Sequence, residues 1–130
     1  MDWYDPWEHA ARLGVRVERH PLAGTQWGRY LHDRQLIVLR PGLSDMQARA
    51  TLAHEVVHAE YGDRDTADRI THIRQERRAD DIAAQRLISQ EALARVARVH
   101  AYPQLIAAEL GVPMWLLKAY HRRMQLTHAS

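Results

Sequence analysis

The five residues His54-Glu55-Val56-Val57-His58 constrain the fold of this chain more than any other segment, because their chemistry makes sense only on an α-helix. On a helix, side chains four apart share one face about 6 Å along the axis, so two imidazoles can converge on one cation. Glu55 then sits roughly 100° round from His54, poorly placed as a ligand but near enough to reach a water held at that cation. The pattern H-E-x-x-H therefore separates ligands from base. The same letters also fit a solvated helix with an idle histidine pair, and the flanking sequence has to decide.

Those flanks predict a capped, largely buried helix. Ser44-Asp45-Met46-Gln47 has the S-x-x-Q spacing of a capping box, and Gly62 supplies a stop after about Tyr61. Leu52, Ala53, Val56, Val57 and Ala59 surround the two histidines with apolar side chains. Imidazoles in such company need a polar partner, and a metal supplies one. A backbone carbonyl would serve one of them easily and two at ligand spacing less so.

Composition narrows which metal that can be. The chain of 130 residues has no cysteine, so it offers neither a disulfide framework nor a thiolate site, and any metal must be held by histidine and carboxylate. That points to a hard or borderline cation such as zinc, the expected cofactor. At 46% apolar residues the chain can bury a working core, and residues 1–130 read as a single domain. Net charge is only +2, a poor footprint for nucleic acid, so direct nucleic-acid binding is not expected. The stretch Met1-Asp2-Trp3-Tyr4-Asp5-Pro6 is acidic and unlike a signal peptide, and no apolar run approaches the ~18 residues of a membrane span. A soluble cytoplasmic protein without membrane contact is the resulting expectation.

The remaining chain predicts an α+β fold: a small three-stranded antiparallel sheet packed on a helical core, with a C-terminal helical hairpin. Asp5-Pro6-Trp7-Glu8 reads as a helix start and Gly14 as its stop. Residues 15–18, 27–31 and 36–39 shift towards period two and predict strands, broken at Gly24 and at His32-Asp33-Arg34-Gln35. Residues 63–69 carry mixed charge and read as a loop. A helix over about 70–88 follows, with an apolar stripe of Ile73, Ala79, Ile82, Ala83 and Leu87. Ser89 is a plausible cap for the next helix, and Pro103 to about Met124 gives two more, turning at Gly111. That last pair resembles a helix-turn-helix with a basic end at Lys118, His121, Arg122 and Arg123, although a hairpin on the core explains it as well.

A catalytic zinc takes three protein ligands and keeps one position open. The downstream acids are Glu60, Asp63, Asp65, Asp68, Glu76, Asp80 and Asp81. Glu60 points away from His58, and the three Asp of 63–68 fit solvent. Glu76 is the best third ligand because it falls on the apolar side of its helix, where a carboxylate must be paired or ligated. Asp80, one turn on, could accept a ring N–H of His54 or His58, or equally pair with Arg77 or Arg78. With that set, Glu55 takes a proton from the water and passes it to a leaving amine. His72, Tyr30, Tyr61 and His100 are chemically able to stabilise the oxyanion; His72 is preferred because it lies between the ligand helices.

Two linked motifs now resemble one family. Leu52-Ala53-His54-Glu55-Val56-Val57-His58-Ala59, followed by Glu76-Arg77-Arg78-Ala79-Asp80-Asp81-Ile82-Ala83-Ala84-Gln85-Arg86-Leu87-Ile88, is similar to the ImmA/IrrE metallopeptidases, with H-E-x-x-H-A and a later E-x-x-A-[ND]. The resemblance implies His54, His58 and Glu76 as zinc ligands, Glu55 as general base and Asp80 as a supporting acid. It also implies cleavage of a regulatory protein, commonly a helix-turn-helix repressor of a phage or mobile element. No segment reads as a repressor-like N-terminal domain or a large sensor domain, so that partner is expected in trans. The competing expectation is a non-catalytic DNA-binding or repressor-binding module using the C-terminal helices.

Overall fold

The computed structural model describes residues 3–129; Met1 and Asp2 of the acidic N-terminal stretch lie outside the described residues. Helix α1 (Pro6–Arg12) starts at Asp5, whose carboxylate accepts the N–H groups of Trp7 and Glu8, and the chain leaves it through Gly14 at φ +73°. Strands β1 (Arg16–Arg19), β2 (Gly28–Leu31) and β3 (Leu36–Leu39) follow, with a 3-10 turn at His32–Arg34. Then come α2 (Asp45–Tyr61), α3 (Arg69–Leu87), α4 (Gln90–Ala97), α5 (Pro103–Leu110) and α6 (Met114–Ala129). The α+β class and the three strands are as the sequence predicts.

The sheet itself is mixed. Its order is β1-β3-β2, with β3 antiparallel to β2 but parallel to β1. The antiparallel expectation fails at that pairing for a physical reason. Leu36-Ile37-Val38-Leu39 is apolar at every position and buried throughout, so it takes the centre, where both faces are covered. Residues 20–27 are too long for a tight hairpin, and they carry β2 past β1 to the far edge of β3. Arg40 pins that crossing by donating to the carbonyls of Leu22, Gly24 and Gln26.

Helix α2 is the shared wall between two cores. Ala48, Leu52 and Val56 join Ala10, Tyr30, Ile37 and Leu39 on the sheet side. Ala50 and Ala53 join Ala83, Ala84, Leu116 and Leu117 on the helical side. A helix that is apolar on both sides has to be buried, and the reciprocal capping box of Ser44 and Gln47 fixes where it begins. Alanines on both α2 and α3 let the two backbones approach closely, which brings the inner face of α3 against the histidines. Helix α6 packs on α3 through Leu116, Leu117, Ala119 and Tyr120, so the C-terminal pair is a hairpin on the core. Ile73, expected in the α3 stripe, is 46% exposed, as is its neighbour Ile70 at 62%. No helix among the described residues is long and apolar enough to cross a membrane.

Candidate active site

The histidines of α2 meet α3 in one cluster. His54 Nε2 and His58 Nε2 are 3.1 Å apart, and Glu76 Oε2 lies 3.2 Å from the first and 2.5 Å from the second. Glu55 is 6% exposed, with Oε2 3.9 Å from His54 Nε2. His54, Glu55 and His58 each offer a donor atom within 4.8 Å of the others, so the cluster could hold a metal ion. Glu76, on the inner face of α3, adds a carboxylate with 43% of its side chain exposed.

The other ring nitrogens also face carboxylates. Asp80 Oδ1 is 2.8 Å from His54 Nδ1, out of line with the ring N–H, so it is a charge contact rather than an aligned hydrogen bond. Asp63 Oδ2 accepts from His58 Nδ1 at 2.8 Å. Asp63 is therefore not a solvent-facing loop residue, as its polar surroundings suggested. Its side chain is 10% exposed, and its second oxygen accepts from Arg78 at 2.6 Å. The reason is the way α2 ends. Gly62 adopts φ +64°, its N–H bonds Ala59 and the Asp63 N–H bonds the His58 carbonyl, which is a Schellman turn. That turn folds Asp63 back over the last turn of its own helix, beside His58. The dipeptide Gly62-Asp63, four and five residues beyond His58, was the available signal.

Charge and burial oppose each other here. Burial alone would lower the proton affinity of His54, but Asp80 and Glu76 hold it up at about 10. His58 is likewise pulled down by burial, then raised above its ordinary value by Glu76, Glu55 and Asp63. Burial tends to raise Glu76, yet its bonds to the two imidazoles hold it well below the usual carboxylate range. Burial raises Glu55, offset in part by the histidines. Two imidazoles set among four carboxylates favour positive charge at the centre, whether as protons on the rings or as a cation.

The sequence profile of the M78 peptidases, described as an IrrE N-terminal-like domain, matches residues 10–119. The chain belongs to the M78 peptidase family. No curated protein matches it. Membership points to a metallopeptidase, a hydrolase whose substrate is a protein, and the His54, Glu55, His58 cluster lies within the matched residues.

In this M78 domain two cavities meet at the cluster. One, about 210 Å³, is lined by Gly28, Tyr30, Glu55, His58, His72 and Glu76 among others. The other, about 250 Å³, is lined by Trp27, Gly28, Thr51, His54, Asp80 and Trp115, and shares Glu55 and Glu76 with the first. Together they make a cleft between the free edge of β2 and helix α3. Of the four oxyanion candidates, His72 and Tyr30 line it. Tyr61 is stacked under Arg78, and His100 lies near Glu109 beyond α4. Sequence reasoning did not find Gly28, Thr51 or Trp115. A Cβ at Gly28 would fall 2.5 Å from Thr51 Cγ2 and 3.2 Å from Glu55 Cγ, so the strand lies directly on α2 beside Glu55. Trp115 stands edge-on to the His54 ring at 6.0 Å, a contact created by α6 packing that no local spacing announces.

Proposed function

We propose that this protein is a zinc-dependent endopeptidase in which His54, His58 and Glu76 hold the metal and Glu55 is the general base. The observation that carries the reading is the triangle of Nε2, Nε2 and Oε2 atoms with sides of 3.1, 3.2 and 2.5 Å. Three tetrahedral zinc ligands at ~2.0–2.1 Å stand about 3.3 Å apart, so these residues fit the metal with a small outward shift of Glu76. Zinc bound there would polarise the scissile carbonyl and acidify water.

The chain's own residues do the rest. The peptide lies extended in the cleft along the open edge of β2, where strand pairing holds its backbone straight. Glu55, buried and raised in proton affinity, takes the proton of the attacking water and delivers it to the leaving nitrogen. Asp63 orients the His58 ring from behind by a hydrogen bond, and Asp80 sets its charge beside the His54 ring. His72 and Tyr30, facing the cluster across the 210 Å³ cavity, supply donors for the developing oxyanion.

The substrate class is a cytoplasmic regulator met in trans, with a helix-turn-helix repressor of a phage or mobile element as the first candidate. Support for this finer step comes from the likeness to ImmA/IrrE proteins. The test is cleavage of a helix-turn-helix repressor supplied in trans, with zinc content measured in parallel. Glu55→Gln is expected to keep the zinc and lower cleavage about 10²–10⁴-fold. Undiminished cleavage by that variant would overturn the assignment of the base.

A further inference from the structure

A separate cavity lies on the other side of α3, against α6. Its volume is about 340 Å³, and its lining includes Arg74, Arg77, Arg78 and Arg123 against a single acid, Asp81. That acid is already engaged, because Arg122 donates to Asp81 at 2.7 Å. Among the described residues, the side chains of Arg74 and Arg77 make no hydrogen bond or close ion pair, although Arg74 lies near enough to Asp68 to help lower its carboxyl, and Arg78 is paired with Asp63 and leaves only its buried Nε without a partner. A molecule with net charge +2 has thus gathered four guanidinium groups around one hollow. Guanidinium forks match carboxylate or phosphate oxygens in pairs.

Two features choose between those anions. No aromatic side chain lines the hollow, so it offers no platform on which nucleobases could stack. Beside it, Ile70, Ile73, Arg74 and Arg77 follow i, i+3, i+4, i+7 spacing and share one face of α3. Ile70 and Ile73 are 62% and 46% exposed. An apolar step leading into a cationic hollow suits a protein segment that mixes aliphatic and acidic residues, and gives a phosphate backbone nothing for its sugars or bases. The same helix presents Glu76 to the catalytic cluster, so a protein laid across α3 reaches both places. Arg78 joins them directly through its bond to Asp63, the partner of His58.

We propose that this face of α3 is a docking surface that takes an acidic segment of the protein substrate. The idea rests on the peptidase reading for the word substrate, but the binding itself does not depend on catalysis. The test is fluorescence polarisation of labelled hexaglutamate with the full chain at low salt, in the wild type and in Glu55→Gln. Both should bind it equally. Arg74→Glu with Arg77→Glu should weaken binding at least tenfold, whereas Arg95→Glu with Arg98→Glu, the same charge change at the C-terminal end of α4, should alter it less than twofold. Equal weakening by both pairs would overturn the site in favour of general electrostatics. Inorganic phosphate competing as well as the peptide would reduce it to a simple anion site, and a 20-base-pair duplex binding more tightly than the peptide would reassign it to nucleic acid. If the protein cleaves nothing while hexaglutamate binding follows this pattern, the docking surface stands and the peptidase reading falls. Where cleavage is found, the Arg74/Arg77 variant should raise KM for an acid-bearing substrate and leave a short neutral peptide unaffected.

Discussion

Asp63 divides its two oxygens between His58 and Arg78, and so ties the histidine helix α2 to the arginine face of α3. A carboxylate behind a ligand imidazole fixes the tautomer and makes the metal-facing nitrogen a better donor. Asp63→Asn keeps the shape and removes the charge, so zinc affinity should fall about 10-fold to 100-fold with little change in fold. Competition with a chromophoric chelator measures it, and an unchanged affinity would make Asp63 merely structural. His54 gives a pH prediction. Burial opposes its charged form, but Asp80 and Glu76 raise it from 6.5 to about 10. In metal-stripped protein the bound proton therefore stabilises the fold fully below about pH 6.5, and that contribution is lost as pH rises through 10. The melting temperature of stripped protein should drop across this window. Zinc-loaded protein should not follow, because a ligand nitrogen carries no proton.

At the level of elements, the decisive contact is β2 lying on α2. Gly28 is chosen by proximity, since a Cβ there would meet Thr51 Cγ2 at 2.5 Å. Gly28→Ala should cost about 1–3 kcal/mol by overpacking and lower activity by displacing Glu55. Thr51→Ser removes the clashing methyl, so the double variant should recover a good part of the loss in a denaturation cycle. Additive losses would mean the strand yields rather than the side chain. The elements themselves were readable from local rules: Asp5, Ser44 and Ser89 all accept from helix N–H groups as expected. Strand pairing was not readable, because it depends on how residues 20–27 route the chain and on Arg40 gathering three carbonyls along that route.

For the whole molecule, the spacing of α2 and α3 sets the distance from Glu76 to the histidines. Ala50 and Ala53 face Ala83 and Ala84 across that seam, all of them essentially inaccessible. A larger side chain there must push the helices apart or distort them. Ala83→Leu should destabilise the protein by about 1–3 kcal/mol. It should also weaken zinc binding more than an equally destabilising change remote from the seam, such as Ile106→Ala under α6. Thermal denaturation paired with metal titration separates the two effects, and equal zinc affinity in both variants would show that Glu76 does not depend on the seam.

The sequence by itself determined the helix of His54, Glu55 and His58, its caps, the placing of Glu76 and Asp80 on one helix beside the histidines, and the family, because each rests on spacings within one or two helices. Only the tertiary structure decided the rest. Central burial of Leu36 to Leu39 made the sheet mixed, the Schellman turn at Gly62 brought Asp63 back to His58, and α6 set Trp115 beside His54. Ile73 and the arginines of α3 turned outward because the alanine face had already been claimed by α2 and α6. Local spacing fixes which side chains share a face, but which faces meet is settled by burial of the whole chain at once.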